Sequence, residues 1–335
     1  MGKSGPYHGG NIKAAERLFG VPPQGWLDLS TGINPNPYPI TGVADSAWAG
    51  LPDDGAFENL SSAARQYYGL SDRAALVAAS GTQAILQALP QVVAHKKVAV
   101  VSPTYSEHAH SWSSAGREVV EVSSLAEGVV AADVVVTVEP NNPTGRITGK
   151  QALQEATETL AARGGLLIVD GAFADVTPEA DVADLAGMPG LLVLRSFGKF
   201  FGLAGLRLGF AAGEPRLIEG LDARLGPWAV SGPAIDVGCR ALTDQDWASS
   251  TKKNLQNASD RLVGILQNFG LTLVGRTDLF LLMSTPNAPQ LFEHLGRQGI
   301  LVRPFESNPN WLRFGLPGKE DDWLRLERTL GGAKL

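Results

Sequence analysis

Short apolar runs alternate with amphipathic stretches through the middle of the chain, the pattern of an α/β protein. The runs at 98–101, 134–138, 166–169, 191–194 and 208–211 are rich in aliphatic residues and ended by Pro, Gly or polar positions, which predicts strands buried on both faces. Between them lie helical candidates at 82–93, 148–163 and 181–186, and Thr148 followed three residues later by Gln151 predicts a capping box at the start of the second. Beyond 228 the rhythm changes to a long polar amphipathic stretch (244–269), a strand-like run (279–283), a helix (288–298) and a short apolar run (300–303), as expected of a smaller α+β domain. The first forty residues are rich in Gly, Pro and Asn, with a helix expected only at 12–19. The predicted organisation is an N-terminal arm, 1–42, packed on the small domain; a large α/β domain, 43–227, around a mostly parallel central sheet; and a small α+β domain, 228–335.

Composition narrows the chemistry. With 335 residues, 44% hydrophobic and 19% charged, the chain can bury one large core or two smaller ones unaided. A formal net charge of -6 offers no general attraction to nucleic acid or anionic membrane, so any phosphate has to be held locally. Cys239 is the single cysteine, which excludes an intramolecular disulfide and a cysteine-only metal site; with no adjacent histidine it reads as a buried structural thiol. The histidines at 8, 95, 108, 110 and 294 include one close pair, spaced i, i+2, which is poor for two metal ligands on one helix face, and they are expected at the surface or in polar contacts. No secretory signal and no run of about 18 apolar residues is visible, so a cytoplasmic protein is expected.

Four features of the large domain carry candidate chemistry. The run Glu139-Pro140-Asn141-Asn142-Pro143-Thr144-Gly145 follows a predicted strand and alone reads as a Pro-Gly turn. Asp170 ends the apolar run 166–169, where a carboxylate at the carboxyl edge of a parallel sheet either meets a ligand or caps a helix. Lys199 stands among Phe197, Phe200 and Phe201; apolar rings disfavour an ammonium, and a neutral amine can attack an aldehyde to form an imine. Eight residues on, Arg207 supplies a guanidinium suited to gripping phosphate oxygens in pairs, and Ser80-Gly81-Thr82-Gln83 precedes a predicted helix whose amino end can receive an anion or simply carry an N-cap.

Taken in order, Ser80-Gly81-Thr82, Asn141 to Gly145, Asp170-Gly171-Ala172-Phe173 and Ser196-Phe197-Gly198-Lys199 through Arg207 resemble the fold-type I pyridoxal-phosphate family, the class I/II aminotransferases and their relatives, across essentially the whole chain. The resemblance implies pyridoxal 5'-phosphate as cofactor and a role for each position. Lys199 would be the Schiff-base lysine and Asp170 the partner of the protonated pyridine nitrogen. Asn142 would bond the ring hydroxyl oxygen and Tyr105 would stack on the ring, while Ser80, Gly81, Thr82, Ser196 and Arg207 would surround the cofactor phosphate. Phe173 stands where relatives often carry a hydroxyl-bearing tyrosine, and Leu51 where relatives commonly place a tyrosine that crosses a dimer interface.

In the arm, Tyr7-His8-Gly9-Gly10-Asn11 and Asp28 to Pro35 resemble the threonine-phosphate decarboxylases of cobalamin synthesis more than the histidinol-phosphate aminotransferases. That resemblance implies a small phosphorylated amino-acid substrate, met by His8, Gly9 and Arg303 at its phosphate and by Arg313 at its α-carboxylate, with Asn142 nearby. At Gly32, where such decarboxylases often place an asparagine, contact would be through backbone alone. A homodimer is expected on the same ground. The rival readings are an aminotransferase for histidinol phosphate or a similar amine, and a catalytically retired cofactor fold serving as a binding or regulatory module. The retention of Lys199, Asp170, Asn142 and Arg207 argues against the last.

Overall fold

The computed structural model describes residues 9–333, so His8 lies outside the described residues. The strands are β1 (Leu27–Asp28), β2 (Ala75–Ala79), β3 (Lys97–Val101), β4 (Glu118–Val122), β5 (Val134–Val138), β6 (Leu166–Asp170), β7 (Leu191–Ser196), β8 (Gly209–Gly213), β9 (Thr272–Thr277), β10 (Phe280–Ser284), β11 (Ile300–Leu301), β12 (Arg303–Pro304) and β13 (Trp311–Gly315). The α-helices are α1 (Ile12–Phe19), α2 (Asp45–Ala49), α3 (Asp54–Tyr68), α4 (Thr82–Val92), α5 (Glu107–Ser114), α6 (Leu125–Ala131), α7 (Lys150–Ala161), α8 (Phe197–Phe200), α9 (Pro215–Leu225), α10 (Gly232–Thr243), α11 (Gln245–Asn268), α12 (Ala288–Arg297) and α13 (Glu320–Gly331). They fall into two units. The larger comprises Pro37–Asn142 and Arg146–Ser249; the smaller comprises the described residues up to Asn36, Pro143–Gly145, and those from Ser250 onward.

In the larger unit seven strands form one sheet in the order β2-β8-β7-β6-β5-β3-β4. Strands β3 to β7 run parallel, while β8 pairs antiparallel with both β7 and β2. Alternate residues along these strands feed two cores, as the two-residue repeat of a strand requires. Val98, Val100, Val136, Ile168 and Leu194 pack with Ile85 and Leu89 of α4, Trp112 of α5 and Leu221 of α9. Their neighbours Ala99, Val101, Val135, Leu167 and Val193 pack with Leu125 of α6 and Leu153 and Leu160 of α7. The apolar runs are continuous because both faces of these strands are covered.

Three expectations change. Helix α7 starts two residues late, at Lys150, because the Thr148 hydroxyl and amide both donate to the buried Glu139 carboxylate (2.5 and 2.8 Å); Gly149 caps the helix without a side chain. The segment expected as a helix at 181–186 holds only a 3₁₀ turn, Ala183–Leu185, preceded by another at Pro178–Ala180. Helix α10, placed by the sequence in the second domain, lies in the larger unit and packs against α3, with Ile235, Val237 and Leu242 among its buried residues. Gly238 permits this: a Cβ there would sit 2.7 Å from Leu208 and 3.0 Å from Leu60.

In the smaller unit β12-β13-β10-β9 form an antiparallel sheet, and β1 of the arm pairs in parallel with β11. The amide of Gly315 donates to the Leu29 carbonyl at 2.7 Å, which ties the arm to the end of β13.

Candidate active site

Four parallel strands, β3, β5, β6 and β7, end on one edge of the large sheet, and the chain leaves them as Ser102 to Tyr105, Glu139 to Asn142, Asp170 and Ser196 to Lys199. Ligands of open α/β sheets gather at such carboxyl ends. Asp170 is only 4% exposed. Its Oδ1 accepts the Ala172 amide at 3.0 Å, and its Oδ2 lies 2.9 Å from Nε2 of His108, itself 1% exposed. The sequence reading missed His108. It sits on α5 three residues after Tyr105, and the second histidine of the i, i+2 pair, His110, faces solvent, as their spacing requires. A buried carboxylate with one oxygen fixed by a backbone amide and the other by an imidazole suits a protonated ring nitrogen. Tyr105 is half-buried, presents its ring edge-on to His108 (5.9 Å, 88°) and donates its hydroxyl to Gln83 at 3.4 Å.

At the neighbouring strand ends, Ser196 pairs in register with Gly209, and Gly209 lies against the start of α4: a Cβ on it would sit 2.5 Å from the Thr82 nitrogen. Gly81, at φ +81°, leaves room for Arg207, whose Nη2 would be 2.5 Å from a Cβ at position 81. Arg207 adopts a left-handed backbone (φ 59°, ψ 66°) and donates through Nη1 to the Ala204 carbonyl at 2.9 Å, so its exposed guanidinium is aimed at the amino end of α4. A helix amino end beside a guanidinium, with Ser196 on the adjoining strand end, is the kind of arrangement that suits a phosphate. Ser80, which precedes the Gly81 turn, is exposed, and its hydroxyl donates to the Ala229 carbonyl at 2.7 Å.

Lys199, on α8, is half-buried. The three phenylalanines expected to crowd it pack with one another and with their neighbours: Phe197 stacks on Phe201 (4.3 Å, 11°), and Phe201 stacks on Trp247 (5.6 Å, 11°). The ring near the amine is Phe173, whose centroid lies 5.9 Å from Lys199 Nζ. Asn142 is half-buried, while its neighbour Asn141 accepts Thr104 Oγ1 (2.7 Å) and donates to the Pro103 carbonyl (2.9 Å), fixing the strand-end loop. These residues, a phosphate cradle, a buried carboxylate and a lysine on one sheet edge, fit a phosphorylated pyridine aldehyde.

In the smaller unit, Arg303 and Arg313 stand directly opposite one another across β12 and β13. Arg313 is 3% exposed. Burial first, then repulsion from Arg303, push its guanidinium down to about 9, with Asp28 pulling the other way. Like charges facing each other across a strand pair repel, and the Asp28 carboxylate offsets part of that repulsion. Around them the arm is organised by Ser30, which the sequence reading did not single out. Its carbonyl accepts Arg313 Nη2 (2.8 Å), its hydroxyl accepts the Gly10 amide (2.7 Å), and its own amide and hydroxyl donate to Asp28 (2.8 and 2.5 Å). A Cβ on Gly9 would run into the Ser30 carbonyl, so glycine is required there; Gly32 is buried. Among the described residues no group of three or more His, Cys, Asp or Glu side chains is placed to hold a metal.

A family model described as aminotransferase class I and II matches residues 43–326. The threonine-phosphate decarboxylase of Pseudomonas aeruginosa is 44% identical over 331 residues, covering 98% of both chains. That of a Sinorhizobium species is 42% identical over 333 residues, again covering 98% of both. Among solved structures, histidinol-phosphate aminotransferase from Sinorhizobium meliloti, in complex with pyridoxal-5'-phosphate, aligns with a TM-score of 0.83 at 20% identity over 95% of this chain and 93% of its own, a likeness of fold. With the fold-type I architecture and a family match that spans both units, the chain belongs to the class I and II aminotransferase family.

Proposed function

We propose that this protein is a pyridoxal-phosphate lyase that decarboxylates L-threonine O-3-phosphate to (R)-1-amino-2-propanol O-phosphate, a step of cobalamin biosynthesis. The observation that carries the reading is the facing pair Arg303 and Arg313 in a chain 44% identical to a threonine-phosphate decarboxylase. Two guanidiniums side by side match a substrate with two anionic groups, a carboxylate and a phosphate.

Pyridoxal 5'-phosphate, when bound, supplies an aldehyde that captures amines and a ring that withdraws electrons from the bonds at Cα. Ser196, Arg207, Gly81 and the Thr82 amide would hold its phosphate, and Tyr105 would lie against its ring. Asp170, oriented by His108 and Ala172, would keep the ring nitrogen protonated. Asn142 would meet the ring hydroxyl; Phe173 brings no second hydroxyl donor. Arg313 would take the substrate carboxylate and Arg303, with Gly9 and His8, its phosphate, while the backbone at Gly32 would border the substrate. The grip of these groups on the two anionic ends would orient the bonds at Cα and so select the one that breaks. Lys199 Nζ would supply the proton that replaces the carboxylate, which leaves as carbon dioxide.

We read the protein as cytoplasmic and homodimeric. Among the described residues no helix is long and apolar enough to cross a membrane, and Ile40, Trp48, Leu51 and Trp228 are large apolar side chains exposed on the larger unit, as a self-association surface requires. The test is incubation of the purified holoenzyme with threonine O-phosphate. Carbon dioxide and aminopropanol phosphate are expected in equal amounts; accumulation of pyridoxamine phosphate on addition of an amino donor, without carbon dioxide, would sink the reading in favour of transamination.

A further inference from the structure

Behind the edge that carries Asp170 and Lys199 lies a buried charge cluster that the reaction itself does not use. Arg195, the penultimate residue of β7 and 2% exposed, pairs through Nη2 with Asp175 (3.1 Å) and through Nη1 with Asp181 (2.9 Å), and its guanidinium carbon lies 4.4 Å above the Tyr68 ring. Asp175 is 3% exposed. Arg195 and Asp175 are buried and Asp181 is part-exposed; pairing only offsets the cost of taking such charges out of water, so aliphatic residues at the two buried places would give a core of similar stability. What the ion pairs do supply is direction: they fasten one particular segment, Gly171 to Asp181, to one particular strand.

That segment touches the reacting groups twice. Its Ala172 amide fixes Oδ1 of Asp170, and its Phe173 ring is the one beside Lys199 Nζ. The segment is a turn followed by short 3₁₀ pieces rather than a helix or strand, tied to β7 at its start by the Gly171 amide, which donates to the Leu194 carbonyl at 2.9 Å. The Ala174 amide donates to the Gly171 carbonyl at 3.1 Å, so the turn that presents Ala172 and Phe173 is continuous with Asp175. The stem of Arg195 also packs beneath it: a Cβ at Gly171 would meet Arg195 Cδ at 3.5 Å.

We propose that Arg195 is a positioning residue, an internal strut that acts through Asp175 and the Gly171–Val176 turn to hold the Ala172 amide on Asp170 and the Phe173 ring beside Lys199. This rests on the reading of Asp170 as the partner of the cofactor nitrogen. The strut fixes geometry without touching substrate or cofactor, so its loss moves rate and cofactor electronics and leaves substrate affinity alone.

The experiment compares wild type, Arg195→Met, Asp175→Asn and Asp170→Asn as holoenzymes, by steady-state kinetics and by pH titration of the visible absorbance of the bound cofactor, with thermal unfolding in parallel. Arg195→Met and Asp175→Asn are each expected to lower kcat by about 10-fold or more with KM within about 2-fold, and to displace the pH at which the absorbance band changes, as sub-ångström errors at a reacting centre do. If Arg195→Met does not fold, Asp175→Asn keeps the test open, since it leaves a neutral side chain of the same shape. Wild-type kcat and an undisplaced titration in a folded Asp175→Asn or Arg195→Met holoenzyme would overturn the strut. Should Asp170→Asn itself leave both readouts unchanged, the Asp170 reading fails; loss of activity in Asp170→Asn with normal strut variants overturns only the strut.

Discussion

At Asp170 the two carboxylate oxygens have different partners, His108 at 2.9 Å and the Ala172 amide at 3.0 Å. A hydrogen bond to a buried charge contributes about 1.5–3 kcal/mol, so His108→Phe should lower kcat by about 10–100-fold while the cofactor stays bound. Steady-state kinetics on the holoenzyme checks this; an unchanged kcat would mean that the amide alone orients the carboxylate. Arg313 gives a second prediction. With its guanidinium at about 9, the site loses cationic charge as pH rises through that value, so affinity for inorganic phosphate, titrated calorimetrically, should fall between pH 8 and 10. The stability linkage has the opposite sign: above about pH 9 the unfolded chain holds a proton that the native chain has released, so this group's contribution to stability rises with pH. Sequence order singled out Lys199, Asp170 and Arg207, because the first two follow apolar runs and Arg207 directly precedes one. His108 was not legible, since its partner lies 62 positions away and only the sheet brings them together. Cys239 is half-buried rather than buried, with burial and then Asp236 pushing its thiol up, in keeping with an inert structural role.

Among the elements, the amino end of α4 is set by two glycines. Gly81 combines a left-handed backbone with close approach of the Arg207 guanidinium, so Gly81→Ala both strains the turn and pushes the arginine aside. Cofactor titration into the apoenzyme should show affinity weakened by about 10-fold, the equivalent of roughly 1.4 kcal/mol, with secondary structure intact by circular dichroism. The central strands were readable from the sequence because burial on both faces writes itself as an apolar run. The edge strands were not: β4 is Glu-Val-Val-Glu-Val with both glutamates exposed, and β2 is a short Ala-rich stretch. Thr148 and Gln151 had the spacing of a capping box, yet the threonine serves Glu139, a buried carboxylate whose pull could be seen only once the loop was closed. Lys199 was found for a partly mistaken reason, since its neighbouring phenylalanines face one another and Phe173 supplies the ring.

For the molecule as a whole, the change of rhythm near residue 228 correctly announced a second kind of architecture but could not place the seam, because α10 is amphipathic and suits either unit equally until α3 is opposite it. Nor could it show that three separated stretches, including the short Pro143–Gly145, build the smaller unit. There Gly145, at φ +67°, lies so close to Arg276 that a Cβ would run into its backbone, a long-range constraint written in one glycine. If the exposed Ile40, Trp48, Leu51 and Trp228 are covered by a second copy, light scattering should report twice the 35.3 kDa chain mass, and Trp48→Glu should shift the population toward the single chain. A single-chain mass for the wild type at micromolar concentration would contradict the homodimer.

If Arg303 and Arg313 hold the substrate as proposed, their facing across two strands also bears on what the enzyme ignores. A ligand with one negative group would engage one guanidinium at a time, whereas a ligand with two would engage both. Free threonine and its phosphate ester differ little in outline near Cα, yet such a site would rank them by how many charges they bring. The unphosphorylated amino acid, however abundant, would thereby be a poor competitor, turned away by what it lacks rather than by a clash.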